Sequence, residues 1–303
     1  MDISSFYNQL PVLVTGGCGF IGSHLVKLLV CFGAHVTVID DLSTGLLENL
    51  ASVQDNITFV RGSVTDFATC MQHTAGKKVV FHLAAFISVP GSMRDPHACH
   101  QTNIIGTLNM LEAARLNGVK RFVFSSSAAV YGAYEGTCHE QLPCTPTSAY
   151  GWSKYYGELL CAEYHTLHQL STVALRYFNV YGAGQRADSP YAAVRATFTQ
   201  KMKDNQPITI FGDGLQTRDF VCVDEVVQTN LLVGALSDEA LPSFESFNVG
   251  TGQATTILQL VQDLKNTFPE FNQSVKFAPA RPGDVRHSLA NCSKLRTIRQ
   301  HTF

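Results

Sequence analysis

A run of apolar and β-branched residues that breaks into spaced glycines and then resumes as a helical pattern leaves a chain few folds to adopt. Here the run is VLVTGGCGFIGSHL, with Gly16, Gly19 and Gly22 straight after a strand and at a helix start. The first glycine permits a tight turn, the second lets backbone approach a pyrophosphate, and the third lets helix pack on strand. The helix start then offers N–H groups and a positive dipole end to the anion. A glycine triplet alone is a weak signal, but the next strand, HVTVID, ends on the acidic pair Asp40–Asp41. A carboxylate there can accept both hydroxyls of an adenosine ribose and repels a 2′-phosphate. No arginine follows at once, so NAD is expected rather than NADP.

The remainder of the first half supports the same fold. PVLVTG, HVTVID, ITFVRG, VVFHLAA and RFVFSSS alternate with helical patterns such as 23–32 and 103–117. That rhythm predicts right-handed βαβ crossovers and an α/β fold with a doubly wound parallel sheet, its buried strands apolar almost throughout. After STVALRYFNVYG the rhythm loosens, and GAGQRADSP, QPITIFGDG and APARPGD read as loops. The expectation is a dinucleotide-binding domain over 1–178 and a smaller, discontinuous α/β substrate domain over 179–303. Residues 224–252, with the strand-like SFNVGTG, are expected to return to the first sheet.

Composition narrows the function classes. A net charge of −2 with no long basic run gives no support to a nucleic-acid or anionic-membrane partner. Nine cysteines without a CxxC pair or zinc-ligand spacing argue for buried thiols in a reducing cytosol, with neither disulfide framework nor metal. No signal-peptide pattern opens the chain, and no apolar run approaches the length of a bilayer. A soluble cytoplasmic protein is expected.

The chemistry concentrates around SAYGWSK. Tyr150 and Lys154 lie four residues apart, on one face of a helix. A nearby ammonium favours the phenolate, and lowering a tyrosine pKa from about 10 to near 7 takes roughly 4 kcal/mol. An ordinary amphipathic helix start has the same spacing. The strand RFVFSSS, however, ends in Ser125–Ser127, where ligands of such sheets bind. A serine hydroxyl there can link a sugar oxygen to Tyr150 by a short proton path.

TGGCGFIG, HLAA, SSSAAVYG, YGWSK and LRYFNVYG occur together in the order and spacing of the extended short-chain dehydrogenases/reductases. Over nearly its whole length the chain resembles the nucleotide-sugar 4-epimerases of that superfamily, close to those acting on UDP-glucose and UDP-N-acetylglucosamine. The resemblance implies Tyr150 as base, Lys154 on the nicotinamide ribose and Ser127 on the sugar 4-hydroxyl. It implies further cofactor contacts at Phe20, Ile21, Leu83, Ala84, Ala85, Asn103, Ser125 and Tyr177, and Ser63–Val64 beneath the adenine, where many relatives carry an aspartate. For the substrate it implies Asn179 on the nucleotide sugar, Ala193 and Val194 near the uracil, Arg218 and Arg281 on the diphosphate, and Asp284 on a ribose. Guanidiniums suit that task through bidentate phosphate contacts. Ser288 would face the C2 substituent of the hexose, where a bulky tyrosine in relatives admits only unmodified sugars.

The implied reaction is inversion at C4 through a 4-keto sugar, in a homodimer formed through a helix pair that includes the Tyr150 helix. Related dehydratases and decarboxylases carry acidic residues just after the active-site hydroxyl; here Ala128 and Ala129 stand there and cannot move protons. A UDP-glucuronate 4-epimerase and a non-catalytic NAD-binding protein are the alternatives. Two departures are VRATF, in place of a proline-bearing segment, and the ending SKLRTIRQHTF, beyond which relatives add a helical segment.

Overall fold

The computed structural model describes residues 2–187, 194–280 and 285–302. Its first part alternates strands β1 (Pro11–Thr15), β2 (His35–Asp40), β3 (Ile57–Arg61), β4 (Val79–His82) and β5 (Arg121–Ser127) with helices α1 (Ile3–Tyr7), α2 (Phe20–Cys31), α3 (Phe67–Thr74), α4 (Val89–Arg94), α5 (Pro96–His100) and α6 (Gly106–Leu116). Then follow β6 (Thr137–Cys138), the 20-residue α7 (Ala149–His168), β7 (Ser171–Tyr177), β8 (Asn179–Tyr181), α8 (Val194–Lys203), β9 (Ile208–Phe211), β10 (Thr217–Arg218) and β11 (Phe220–Cys222). Helix α9 (Val223–Ala235), β12 (Glu245–Val249), β13 (Thr255–Thr256), α10 (Ile257–Thr267), β14 (Val275–Ala278), β15 (His287–Ala290) and α11 (Ser293–Thr302) complete the chain.

Seven strands form one parallel sheet in the order β12-β7-β5-β4-β1-β2-β3. This is the doubly wound Rossmann arrangement. Alternate residues of each strand enter two cores. Val12, Val14, Val123 and Leu175 pack under α2 and α9, whereas Leu13, Val80, Phe122, Phe124 and Ala174 pack under α3, α6 and α7. The SFNVGTG stretch supplies β12, which joins the sheet beside β7, and α9 packs on the same face as α2. After β3 the chain crosses to the far side of β1, so a crevice opens above the carboxyl ends of β1 and β4.

Outside the large sheet the strands are short: a four-stranded sheet β13-β10-β15-β6 and the pairs β8–β11 and β9–β14. Helices α8 and α10 close a separate core around Phe198, Ile208, Ile210 and Leu260. Among the described residues no helix is long and apolar enough to cross a membrane.

Candidate active site

The turn after β1 is built for close approach. Gly16 has φ +70°, where a Cβ would lie 2.6 Å from the Ala84 amide nitrogen, and a Cβ on Gly22 would collide with the Gly16 carbonyl. Helix α2 starts at Gly19 without a side-chain cap, which leaves the first-turn N–H groups of Phe20, Ile21 and Gly22 for an anion. At the end of β2, buried Asp40 accepts the Cys18 and Leu42 amides, each at 2.9 Å. Burial raises its pKa, and these two bonds work against the rise. An ionised carboxylate accepts about four hydrogen bonds, so Asp40 keeps capacity for ribose hydroxyls. Asp41 points outward and caps the Ser43 amide. Ser63, just past β3, bonds Thr65, and buried Val64 accepts Asn109 through its carbonyl. A glycine cradle, an uncapped helix and an oriented buried carboxylate together fit a dinucleotide.

Next to the cradle, β4 ends at His82, whose ring lies between Thr15 at 2.7 Å and Thr107 at 3.0 Å. Thr107 donates its one hydroxyl hydrogen to the Asn103 backbone carbonyl and so accepts from His82 Nε2–H; Nδ1 of the neutral ring is then an acceptor, and Thr15, which also accepts the Ala84 amide, donates to it. Burial pushes the His82 pKa down to about 3, with Lys154 adding to the fall. These bonds hold Leu83 and Ala84 against the glycine turn. Asn103 lies in a single π-helical turn, Gln101–Ile105, that leads into α6. Its side-chain Oδ1 accepts the Phe86 amide at 2.7 Å, and its Nδ2 donates to the Phe86 carbonyl and, at 2.8 Å, to Ser153 Oγ. Its amide is thus spent on the loop after HLAA and on α7, which makes it a brace behind the crevice.

Helix α7 begins where Ser148 caps the Gly151 amide, and it presents Tyr150 and Lys154 toward β5. Ser127, the last residue of β5, caps the Ala129 amide of the following turn and lies near enough to Tyr150 to act on its pKa. Lys154 is 4 % exposed; its Nζ donates to the Ser125 carbonyl at 2.8 Å and lies 5.9 Å from the Tyr150 ring centroid. The expected lowering of the tyrosine pKa is absent in the protein alone. Burial raises it, against the opposing effect of Ser127, because the lysine points at a backbone carbonyl. Burial also pulls the Lys154 pKa down to about 8. The hydroxyls of Ser125 and Tyr177 bond each other at 3.1 Å, and Tyr177 continues to Asn230.

On the other side, the parallel register of β10 and β15 sets Arg218 beside Ser288. The Arg218 guanidinium donates to the Thr217 carbonyl at 2.9 Å. Asn179 bonds the Asp219 carbonyl through its amide and its side chain. Val194 opens α8; Ala193, Arg281 and Asp284 lie outside the described residues. Two groups escaped the motif reading. Asp219 is fully buried and accepts from Thr251, Gly252 and Ala290. Glu158 continues the Tyr150, Lys154 series by one more step of four, a spacing that would have revealed it.

The model of the NAD dependent epimerase/dehydratase family matches residues 12–250. A UDP-glucose 4-epimerase of Mycolicibacterium smegmatis is 37% identical over 296 residues, covering 95% of this chain and 92% of that protein. Among solved structures, a UDP-N-acetylglucosamine 4-epimerase from Methanobrevibacter ruminantium in complex with UDP-N-acetylmuramic acid superposes with a TM-score of 0.91 at 40% identity, covering 96% of this chain and 92% of that one. A UDP-glucose 4-epimerase from Thermotoga maritima with UDP-glucose gives 0.89 at 39% identity, covering 95% and 92%. The match runs through the glycine cradle, the HLAA loop and the Tyr150 helix alike, and the chain belongs to the NAD-dependent epimerase/dehydratase family, with NAD as its cofactor.

Proposed function

We propose that the protein is a UDP-sugar 4-epimerase that inverts C4 of a UDP-N-acetylhexosamine or UDP-hexose through a 4-keto sugar. The observation that carries this reading is the placement of Tyr150 and buried Lys154 one turn apart on α7, with Lys154 bonded to the Ser125 carbonyl at the carboxyl end of β5 and Ser127 near enough to the phenol to act against the rise of its pKa. Bound NAD supplies a hydride acceptor and donor, and its positive nicotinamide favours the phenolate that burial alone disfavours. Tyr150 takes the O4 proton and later returns it, while Ser127 holds that oxygen between sugar and phenol. Asp40 and the α2 N-terminus bind the dinucleotide, and Lys154 its nicotinamide ribose. Asn179, Arg218, Arg281 and Asp284 hold the UDP, with Ala193 and Val194 beside the base. These contacts assign the nucleotide sugar mainly to residues beyond 178, apart from α9 and β12. Ala128 and Ala129 offer no second proton carrier, which favours epimerisation over water loss or decarboxylation.

Ser288 leaves room at C2, so N-acetylated sugars are included. Purified protein given UDP-GlcNAc and UDP-Glc, with products separated, tests this: turnover of the glucose compound only rejects the N-acetyl assignment. Tyr150→Phe should cut turnover by roughly 10²- to 10⁴-fold while NAD stays bound. We also infer a homodimer through α6 and α7, whose Leu108, Trp152, Tyr156 and Leu159 are exposed, and a reducing cytoplasm, where nine free thiols are stable.

A further inference from the structure

Behind the Ser127–Tyr150 pair lies an ion pair sealed from solvent. Glu158 and Arg176 are 3 % and 5 % exposed, and Arg176 grips both carboxylate oxygens, with its Nη2 at 2.6 Å and its Nε at 2.9 and 3.2 Å. Ser126, the register neighbour of Arg176 on β5, donates to the same carboxylate at 2.5 Å. The rest of the guanidinium reaches outward along the chain. Nη1 donates to Tyr131 Oη at 2.9 Å and to the Glu140 carbonyl at 3.4 Å, and Nη2 meets Cys144 Sγ at 3.4 Å. Tyr131 in turn donates to Asn248 on β12 at 2.7 Å.

The connectivity has a direction. Tyr131 ends the short 3-10 turn that leaves Ser127, and Cys144 lies in the loop that enters α7 four residues before its cap, Ser148. One guanidinium therefore ties down the segment leaving the serine and the segment arriving at the tyrosine, while Glu158 anchors it to α7 itself. A buried ion pair is weak support for stability, since a well-packed apolar pair of similar volume often serves as well. What an apolar pair lacks is directional bonding to three separate segments.

We propose that Glu158 and Arg176 are positioning residues that fix the spacing of Ser127 and Tyr150, an inference that rests on the epimerase reading given above. The pair is sealed from solvent. Its effect is geometric, and a displacement of about 1 Å at reacting groups costs on the order of 10²-fold in rate.

The test compares Glu158→Gln with the apolar double variant Glu158→Leu/Arg176→Met, which removes the charge penalty and should fold. Positioning predicts that the double variant, folded and NAD-loaded, loses roughly 10- to 100-fold in kcat with KM for the UDP-sugar within about threefold. Amide hydrogen exchange should rise at 128–132 and 144–150 in both variants, with the strands β1 to β4 unchanged. A double variant with wild-type kcat, or exchange that is unchanged or raised evenly over the whole chain, overturns the proposal. If the wild-type protein turns over no UDP-sugar, the function reading fails, and the exchange pattern still decides whether the pair fixes these two segments.

Discussion

Tyr150 and Lys154 illustrate how far a spacing argument reaches at the scale of single residues. Four residues apart, they do share a face of α7, but spacing says nothing of burial, and burial decides the sign of both shifts. The phenol is raised and the ammonium lowered because each is withdrawn from water, and Lys154 spends its proton on the Ser125 carbonyl. The lysine gives a pH prediction. With its pKa near 8 in the folded protein and near 10.5 unfolded, the unfolded chain binds the extra proton between those values. Stability of the ligand-free protein should therefore rise from pH 8 toward 10.5, by at most roughly 3 kcal/mol. Lys154→Met should remove this rise in urea titrations at pH 7.5 and 10, and an unchanged slope would show that another group is responsible.

At the scale of elements, the motifs that specified local geometry were legible: the glycine turn, the strand ends and the tyrosine helix. Residues whose partners depend on register were not. Ser126 meets Arg176 only because β5 and β7 pair with Ser127 opposite Tyr177. Arg218 meets Ser288 through the β10–β15 register. Asp219 gathers donors from positions 251, 252 and 290, a juxtaposition that no local pattern encodes. Its carboxylate accepts four hydrogen bonds in full burial, so Asp219→Asn faces amide hydrogens against existing donors. The expected outcome is a loss of roughly 2–3 kcal/mol in stability and a raised KM for UDP-sugar with NAD content unchanged, because Arg218 and Asn179 flank this anchor. Loss of bound NAD with unaltered KM would place Asp219 on the other side of the molecule's chemistry.

For the whole molecule, the alternation of strand and helix in the first half foretold the parallel sheet, and the loosened rhythm after STVALRYFNVYG, read as a smaller second domain, falls where the strands become short. The outer face of α7 carries Trp152, Tyr156 and Leu159 exposed, opposite the face that presents Tyr150 and Lys154. A second copy would cover that stripe. Light scattering should give a mass near twice 33.1 kDa, and Trp152→Glu should shift it toward the monomer; a monomeric wild-type protein rejects the dimer. The central claim is that one sugar gives up a hydride at C4 and takes the same hydride back. Turnover of UDP-glucose and UDP-GlcNAc deuterated at C4, followed by mass spectrometry of the separated 4-epimers, tests it most directly. The account predicts epimerised product that retains the deuterium at C4 in ordinary water; product with C4 deuterium exchanged for solvent hydrogen, or no epimer from either sugar, would contradict it.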